Sequence, residues 1–297
     1  MVWYCGFESL TEQAAPLSKR TTFRIGGPAE TLCEPPDEPA FAAAYGAARR
    51  AGQPVHVLGG GSNVLVPDEG VRGAVLSTRR LAAAPQRQGA QVRALAGVSL
   101  GRLITWAAQQ GLAGLEALAG IPGTVGGAVR MNAGGRHGCI GEFVRRVWVA
   151  TDEGGIRERA AADIRWEYRR TDIVRPILAV EFELCSDRPE VIVERRCAVF
   201  DEKRASQPND ASAGCFFKNP PGDSAGRLID RAGLKGTRVG AACVSTVHAN
   251  FIVNLGGATA ADVQLLAGAV RDAVRADSAV ALETEVRCWP ESARKGE

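Results

Sequence analysis

Histidine occurs only three times in 297 residues, at His56, His137 and His248, and none of the eight cysteines stands in a C-x-x-C pair. A tetrahedral metal site is therefore not expected. The cysteines, at positions 5, 33, 139, 185, 197, 215, 243 and 288, are scattered through apolar runs. That pattern reads as reduced, mostly buried thiols rather than as a disulfide framework. No window approaches about 18 consecutive apolar residues, so no membrane-spanning helix is expected. The opening MVWYCGFESLTEQ has no basic stretch ahead of an apolar core, so no signal peptide is visible and a cytoplasmic location is expected. Runs of Lys or Arg are missing too, and the net charge is only +3. Such a balance does not suit nucleic acid, but it accommodates small anions such as nucleotides and pyrophosphates.

What is present describes an ordinary folded chain. Hydrophobic residues make up 45% and charged residues 23%, which excludes disorder, and the length suits two or three packed units. A helix is predicted over 40–50, with Phe41, Ala44, Tyr45 and Ala48 on one face and Gly52 as its stop. A β-rich run at 54–58, a glycine turn at 59–63 and a second short strand at 64–66 follow. Leu100, Leu103, Ile104 and Ala107 predict a helix over 100–110. Between 111 and 141 glycine is so dense that regular structure must be short. Strands are expected at 143–150 and 177–184, around an irregular, arginine-rich segment. A helix at 191–204 ends before Gln207-Pro208, where a domain boundary is placed. Beyond it come a helix at 223–232, a strand at 248–254, and a helix at 259–275 that opens with a Thr259/Asp262 capping pair. Interspersed strands and helices make the class α+β.

Four places hold residues suited to chemistry. In Gly59-Gly60-Gly61-Ser62-Asn63, consecutive glycines let backbone N–H groups converge on an anion, and Ser62 and Asn63 add side-chain donors. A strand follows rather than a helix, so this is neither a P-loop nor a dinucleotide fingerprint, and alone it reads as readily as a hairpin turn. The segment 120–135 mixes many glycines with Ile121, Val125, Val129 and Met131, which favour burial. A close-packed backbone around a large flat ligand explains both features better than a flexible loop does. Arg169, in Tyr168-Arg169-Arg170, has the planar fork that binds carboxylates, although an exposed arginine is the plain alternative. Cys215 follows Gly214 in a turn-rich stretch; it is either a small buried residue or, beside a cation, a thiol able to deliver a proton. Glu283 and Glu285 alternate with Leu282, Thr284 and Val286. A terminal strand would set both carboxylates on one face, as an active pair or a solvated edge.

Read together, these segments resemble the UDP-N-acetylenolpyruvoylglucosamine reductases. The resemblance is carried by Thr22-Phe23-Arg24-Ile25-Gly26-Gly27-Pro28-Ala29, Leu58-Gly59-Gly60-Gly61-Ser62-Asn63-Val64-Leu65 and Gly120-Ile121-Pro122-Gly123-Thr124-Val125-Gly126-Gly127-Ala128. Ala213-Gly214-Cys215-Phe216-Phe217-Lys218-Asn219-Pro220, Ala225-Gly226-Arg227-Leu228-Ile229-Asp230, His248-Ala249-Asn250-Phe251 and Glu285-Val286-Arg287 complete it in the same order. It spans about Leu17 to Cys288, and the compact chain is similar to the shorter, second type of this enzyme. The resemblance implies an FAD-binding fold of the vanillyl-alcohol-oxidase/PCMH type, followed by a C-terminal α+β substrate domain. The expected division is an FAD-binding region 1–205, in two subdomains of about 1–78 and 79–205. A substrate domain would cover 206–280, and a terminal strand and tail 281–297.

The same resemblance implies FAD as cofactor and NADPH as co-substrate. UDP-N-acetylglucosamine enolpyruvate would be reduced to UDP-N-acetylmuramate for peptidoglycan precursor synthesis by a monomer. Gly59, Gly60, Gly61, Ser62 and Asn63 would cradle the FAD pyrophosphate. Ile121, Pro122, Gly123, Thr124, Gly126, Gly127, Ala128, Asn132, Ala133 and Gly134 would line the flavin. Arg169 and Glu285 match positions that stabilise the enolate-like charge, Cys215 stands where many relatives carry the proton-donating serine, and Tyr168, Lys218 and Asn219 match substrate-binding positions. A thiol, with a reference pKa of about 8.5, is a much stronger acid than an alcohol, so the replacement keeps the role. Two alternatives stay open. One is an FAD-dependent oxidase of a small alcohol on the same scaffold, with His56 beside the glycine loop or a cysteine as a point of flavin attachment. The other is a non-catalytic flavin- or nucleotide-binding protein, against which the retained Arg169, Cys215 and Glu285 argue.

Overall fold

The computed structural model describes residues 2–290. Its contacts divide the chain into two compact units. The first comprises the chain up to Gln13, Thr31–Gly60 and Gly73–Ala205; the second comprises Ala14–Glu30, Gly61–Arg72 and the chain from Ser206 onward. The expected split of the first 205 residues into two sequential subdomains is thus corrected: 14–30 and 61–72 pack with the C-terminal part. The physical reason is apolar. Phe23, Ile25 and Leu65 are buried in one core with Phe216, Phe217, Leu228 and Leu266.

In the first unit, helix α1 (Glu38–Arg50) starts where Asp37 caps it, the carboxylate accepting from Ala40 N at 2.8 Å, with Pro39 in the first turn. Phe41, Ala44, Tyr45 and Ala48 are buried as the periodicity requires. The strand Val55–Leu58 pairs in parallel with Val71–Ser77, setting Val55 opposite Ala74. A five-stranded antiparallel sheet runs in the order Ile156–Ala160, Val144–Ala150, Ile177–Glu183, Gln91–Leu95, Gln86–Gln88. Its central strand is a nearly continuous apolar run because both faces are covered. Its one buried acid, Glu181, is held by Arg146 in a two-pronged pair at 2.9 and 3.1 Å. Helix α2 (Leu100–Gln109) packs Leu100, Leu103, Ile104 and Ala107 into the same core as Val180 and Phe182. Helix α3 (Val125–Arg130) is short, as glycine density demands. Helix α4 (Pro189–Ser206) buries only Ile192 and Val199.

The second unit is an antiparallel sheet in the order Ala211–Cys215, Phe251–Asn254, Ala242–Val244, Arg238–Val239. Helix α5 (Ala225–Arg231) and helix α6 (Ala260–Ser278) complete its core. The predicted Thr259/Asp262 capping box is present, and Asp68 accepts from Ala260 N (2.8 Å) and Ala261 N (3.1 Å), satisfying two more amides at the helix start. Asn254 donates to Phe23 O at 3.0 Å and accepts from Gly256 and Ala258, so a side chain ties 14–30 to this sheet.

Three further expectations change. The strand expected from His248 begins at Phe251, because His248–Asn250 form a turn. The terminal strand is only Arg287–Cys288, parallel to Val64–Leu65. Glu283 and Glu285 precede it in a looser stretch, so one is exposed and the other half-buried rather than both lying on one face; the tail beyond 290 lies outside the described residues. All eight cysteines are free, but only Cys33 and Cys243 are buried. Cys5, Cys185 and Cys197 are exposed because they occupy a terminal turn, a two-residue strand and the outer side of α4. Among the described residues no helix is long and apolar enough to cross a membrane, and no cluster of three metal-ligating side chains occurs.

Thr259→Ala should lower unfolding free energy by about 1 kcal/mol through loss of the cap. Leu266→Ala should cost roughly 2–5 kcal/mol through a core cavity. Urea unfolding followed by circular dichroism checks both, and equal effects would contradict these assignments.

Candidate active site

The glycine loop follows the strand Val55–Leu58, and its neighbours leave no room for side chains. A Cβ on Gly59 would lie 2.7 Å from Thr124 Oγ1, and one on Gly60 would lie 3.0 Å from Gly123 Cα. Gly61 has φ +64°, and a Cβ there would collide with Arg20 O. Thr22 N donates to Gly61 O at 3.0 Å, fixing the turn further. Gly60 is nevertheless exposed, and Ser62 and Asn63 are half-buried. Asn63 Nδ2 donates to Glu285 O at 3.3 Å, so the loop's converging backbone amides are the donor set it offers. That chemistry fits a pyrophosphate.

The segment from Gly120 is an ordered, backbone-packed structure rather than a loose loop. Leu100 N donates to Gly123 O (3.0 Å), Val125 N to Val98 O (2.9 Å) and Gly126 N to Ala96 O (2.9 Å). Thr124 caps α3, accepting from Gly127 N. A Cβ on Gly126 would meet Ala96 Cβ at 2.8 Å, and one on Gly134 would meet Cys139 Cα at 2.7 Å. Ile121, Pro122 and Gly123 border a cavity of about 340 Å³ whose polar rim includes Ser99, Thr105 and Arg196. Ala133 N donates to Ala128 O. Asn132, at φ 41°, is buried and uses its side chain on protein, accepting from Gly141 N (3.2 Å) and donating to Glu167 O (3.0 Å). Any part it plays toward a flavin is therefore through the backbone it holds.

Trp166–Glu167 pairs with Arg170–Thr171, which makes Tyr168-Arg169 a two-residue turn. Arg169 is left-handed at φ 57°, and its guanidinium carbon lies 4.9 Å from the centre of the exposed Tyr168 ring. Thr171 Oγ1 donates to Arg130 O at 3.1 Å, so α3 and this hairpin are joined. Composition and spacing gave no sign of Lys203. It reaches from α4 to donate to Ala119 O at 2.7 Å, and its side chain packs 3.1 Å from where a Gly120 Cβ would sit. Burial, and then the charge of Arg169, push its ammonium down to about 8, against a smaller opposing pull from Glu202.

The second unit gathers Cys215, Lys218, Asn219 and Glu285; Tyr168 and Arg169 belong to the first. Gly214, at φ 79°, sits in a register shift between Ser212 and Cys215 that re-aims the strand end. Phe216 O accepts from Glu285 N (2.8 Å), and Lys218 N donates to Glu283 O (2.8 Å). Glu285 is thus bonded through its own amide to Phe216, the residue next to Cys215. Lys218 Nζ meets Glu283 at 3.2 Å, where the carboxylate is 76% exposed. Asn219 Oδ1 accepts from Ala225 N at 3.0 Å and so caps the start of α5.

Residues 29–159 match the FAD binding domain family, and residues 207–289 match the C-terminal domain of UDP-N-acetylenolpyruvoylglucosamine reductase. With the mixed sheets and helices, this is a flavoprotein fold of the vanillyl-alcohol-oxidase type followed by a second, C-terminal domain. A glucose oxidase variant of Phl p 4, 16% identical with a TM-score of 0.50 over 63% of this chain and 45% of its own, shares the fold alone. Much nearer is the UDP-N-acetylenolpyruvylglucosamine reductase of Thermus caldophilus. It is 39% identical with a TM-score of 0.81, covering 94% of this chain and 98% of that one. The reductase of Moorella thermoacetica is 45% identical over 93% of this chain and 92% of its own. That of Geobacter sulfurreducens is 43% identical over 92% of each. The chain belongs to the UDP-N-acetylenolpyruvoylglucosamine reductase family.

Lys203 gives the site a measurable pH signature. Its folded value of about 8 lies below the ordinary lysine value of about 10.4. Between these values the unfolded chain binds more protons than the folded one, so this lysine adds stability as pH rises through that window. The melting temperature of the wild type relative to Lys203→Met should therefore increase from about pH 7.5 to about pH 10. Thermal melts at both pH values check this, and a constant difference would show that the amine is not the source.

Proposed function

We propose that this protein reduces UDP-N-acetylglucosamine enolpyruvate to UDP-N-acetylmuramate with NADPH, in the cytoplasm, as a step of peptidoglycan precursor synthesis. The observation that carries the reading is the pairing of the Cys215 and Glu285 segments beside Lys218, in a chain 45% identical to a protein of that name. The glycine loop 59–63 and the packed backbone of 120–134 are suited to hold FAD, the first by converging amides and the second by close backbone approach. Bound there, FAD supplies the two-electron chemistry that links NADPH to the enol ether.

The remaining work falls to side chains. Saturating the enol ether adds a hydride at its terminal carbon and a proton at the adjacent one, and negative charge builds toward the substrate carboxylate in between. Arg169 bears a permanent charge on a planar fork, suited to stabilise that charge without solvent reorganisation. Cys215 gives its thiol proton to the adjacent carbon and is left as thiolate, to be reprotonated from solvent before the next turnover. Glu285, in the looser stretch whose amide bonds Phe216 beside Cys215, takes its role in protonated or shared-proton form, because two adjacent anions are costly. Lys218 is held by an exposed carboxylate, a pair of small net worth, so its ammonium can turn to an anionic group of the nucleotide sugar at little cost.

Anaerobic absorbance tests the reading. Flavin bands should bleach with NADPH and return on adding UDP-N-acetylglucosamine enolpyruvate. Cys215→Ala should still bleach yet fail to form product, and unchanged turnover would remove Cys215 as the donor. Bleaching without return in the wild type would make the protein a flavin reductase with another acceptor. Reoxidation by O₂ coupled to an alcohol would instead favour an oxidase.

A further inference from the structure

None of the steps above uses Asn250, yet this carboxamide is 3% exposed and lies in the turn just before the strand Phe251–Asn254. Its side chain takes up both polar groups of one residue's backbone. Phe217 N donates to Asn250 Oδ1 at 2.9 Å, and Asn250 Nδ2 donates to Phe217 O at 2.8 Å. Its own carbonyl accepts from Phe216 N at 2.7 Å. Three hydrogen bonds therefore hold Phe216-Phe217, the two residues that separate Cys215 from Lys218. The same pair fixes the third group, since Phe216 O accepts from Glu285 N at 2.8 Å.

A clamp is needed here because the strand ladder stops. The register shifts between Ser212 and Cys215, and beyond the Cys215–Phe251 pair the strand ends. A carboxamide carries one donor and one acceptor side by side, as a neighbouring strand would, and few other side chains do. Asn250 is itself held in place. Its N–H donates to His248 Nδ1 at 3.2 Å, while Ser245 Oγ accepts from Val247 N (3.1 Å) and His248 N (3.3 Å). Ser245 N donates to Phe251 O at 2.8 Å, closing the turn. Both Phe rings are buried, so Phe216-Phe217 also anchor in the core and transmit that position to the residues on either side.

We propose that Asn250 is a positioning residue that sets Cys215, Lys218 and Glu285 in one register by clamping Phe216-Phe217, an inference that rests on the reductase reading of this site. The test separates the two half-reactions anaerobically and adds a probe independent of turnover, iodoacetamide labelling of Cys215 read by peptide mass. In Asn250→Ala, bleaching by NADPH should stay within about twofold of wild type while reoxidation by UDP-N-acetylglucosamine enolpyruvate falls about 10²-fold. Labelling of Cys215 should quicken. Asn250→Asp is isosteric; its carboxylate accepts but cannot donate, and its protonated form does both. Reoxidation by this variant should therefore recover as pH is lowered, a trend that mere loss of stability would not produce, and it serves equally if the alanine variant does not fold. Equal losses in both half-reactions, or reoxidation and labelling unchanged from wild type, would overturn the proposal. Failure of the wild-type flavin to reoxidise would overturn the reductase reading instead, and Cys215 labelling would still decide whether the clamp holds.

Discussion

Where two stretches of backbone meet without room for a Cβ, neither can shift without the other, and the first unit repeats that contact along its glycine-rich half. Gly60 lies on Gly123, Gly126 on Ala96, and Gly134 on Cys139, while a Cβ on Gly141 would fall 2.5 Å from the Trp166 ring. Each glycine costs conformational entropy on folding, roughly 0.5–1 kcal/mol relative to alanine in regular structure. The large aliphatic core around α2 and the five-stranded sheet offsets that cost. The yield is a rigid rather than a mobile glycine-rich region. Its amides hold fixed directions, and the hairpin bearing Tyr168-Arg169 is tied to it through Asn132 and Thr171.

The second unit reaches the same end by another route. Its backbone is interrupted at Gly214 and again before Arg287, and buried side chains take over where ladder bonds stop. Asn254 holds Phe23 and the turn at 256–258, Asp68 fills the amides at the start of α6, and Asn250 holds Phe217. A buried carboxamide left unsatisfied would cost about 1–3 kcal/mol, so each of these is as much a constraint as a contact. Asp68 and Phe23 come from segments far upstream of the helix and strand they complete. For that reason 14–30 and 61–72 belong to this unit rather than to the one their positions suggest.

What the sequence made legible follows the same division. Helices α1, α2 and α6 were readable because their stripes are local, as is the Thr259/Asp262 cap of α6, which acts on amides within three residues; the Asp37 cap of α1 was seen only in the structure. The glycine segments were readable as packed rather than mobile structure because a mobile surface loop would not interleave its glycines with residues that favour burial. The resemblance supplied the roles of Arg169, Cys215 and Glu285, which periodicity alone left open. Long-range exchanges were not legible. Phe23, Ile25 and Leu65 would read the same in any core, and alternation around Glu283 and Glu285 suggested a strand whose partner, Phe216–Lys218, bridges it only at Thr284. Asn250 is one polar residue in an apolar run, and Lys203 one base among several on an exposed helix; only distance to a partner sets them apart.

The groups assigned to the chemistry stand where regular structure is broken. Arg169 occupies a left-handed turn at φ 57°, and Cys215 follows Gly214 at φ 79°. A non-glycine residue held in that region carries strain, usually of order 1–3 kcal/mol, and it persists only where the surroundings over-determine it. For Arg169 those surroundings are the hairpin pairs on either side and the tie from Asn132 to Glu167. At Cys215 the positive φ falls on Gly214, which adopts it without strain, and the Asn250 clamp follows. A regular strand would have supplied pairing at no strain, but it would have spent every backbone group on its neighbours and pointed successive side chains to opposite faces. Breaking the ladder at one glycine and restoring it with one carboxamide leaves the thiol and the lysine on a short segment, with Glu285 bonded to its Phe216, whose direction is set by buried bonds rather than by the strand.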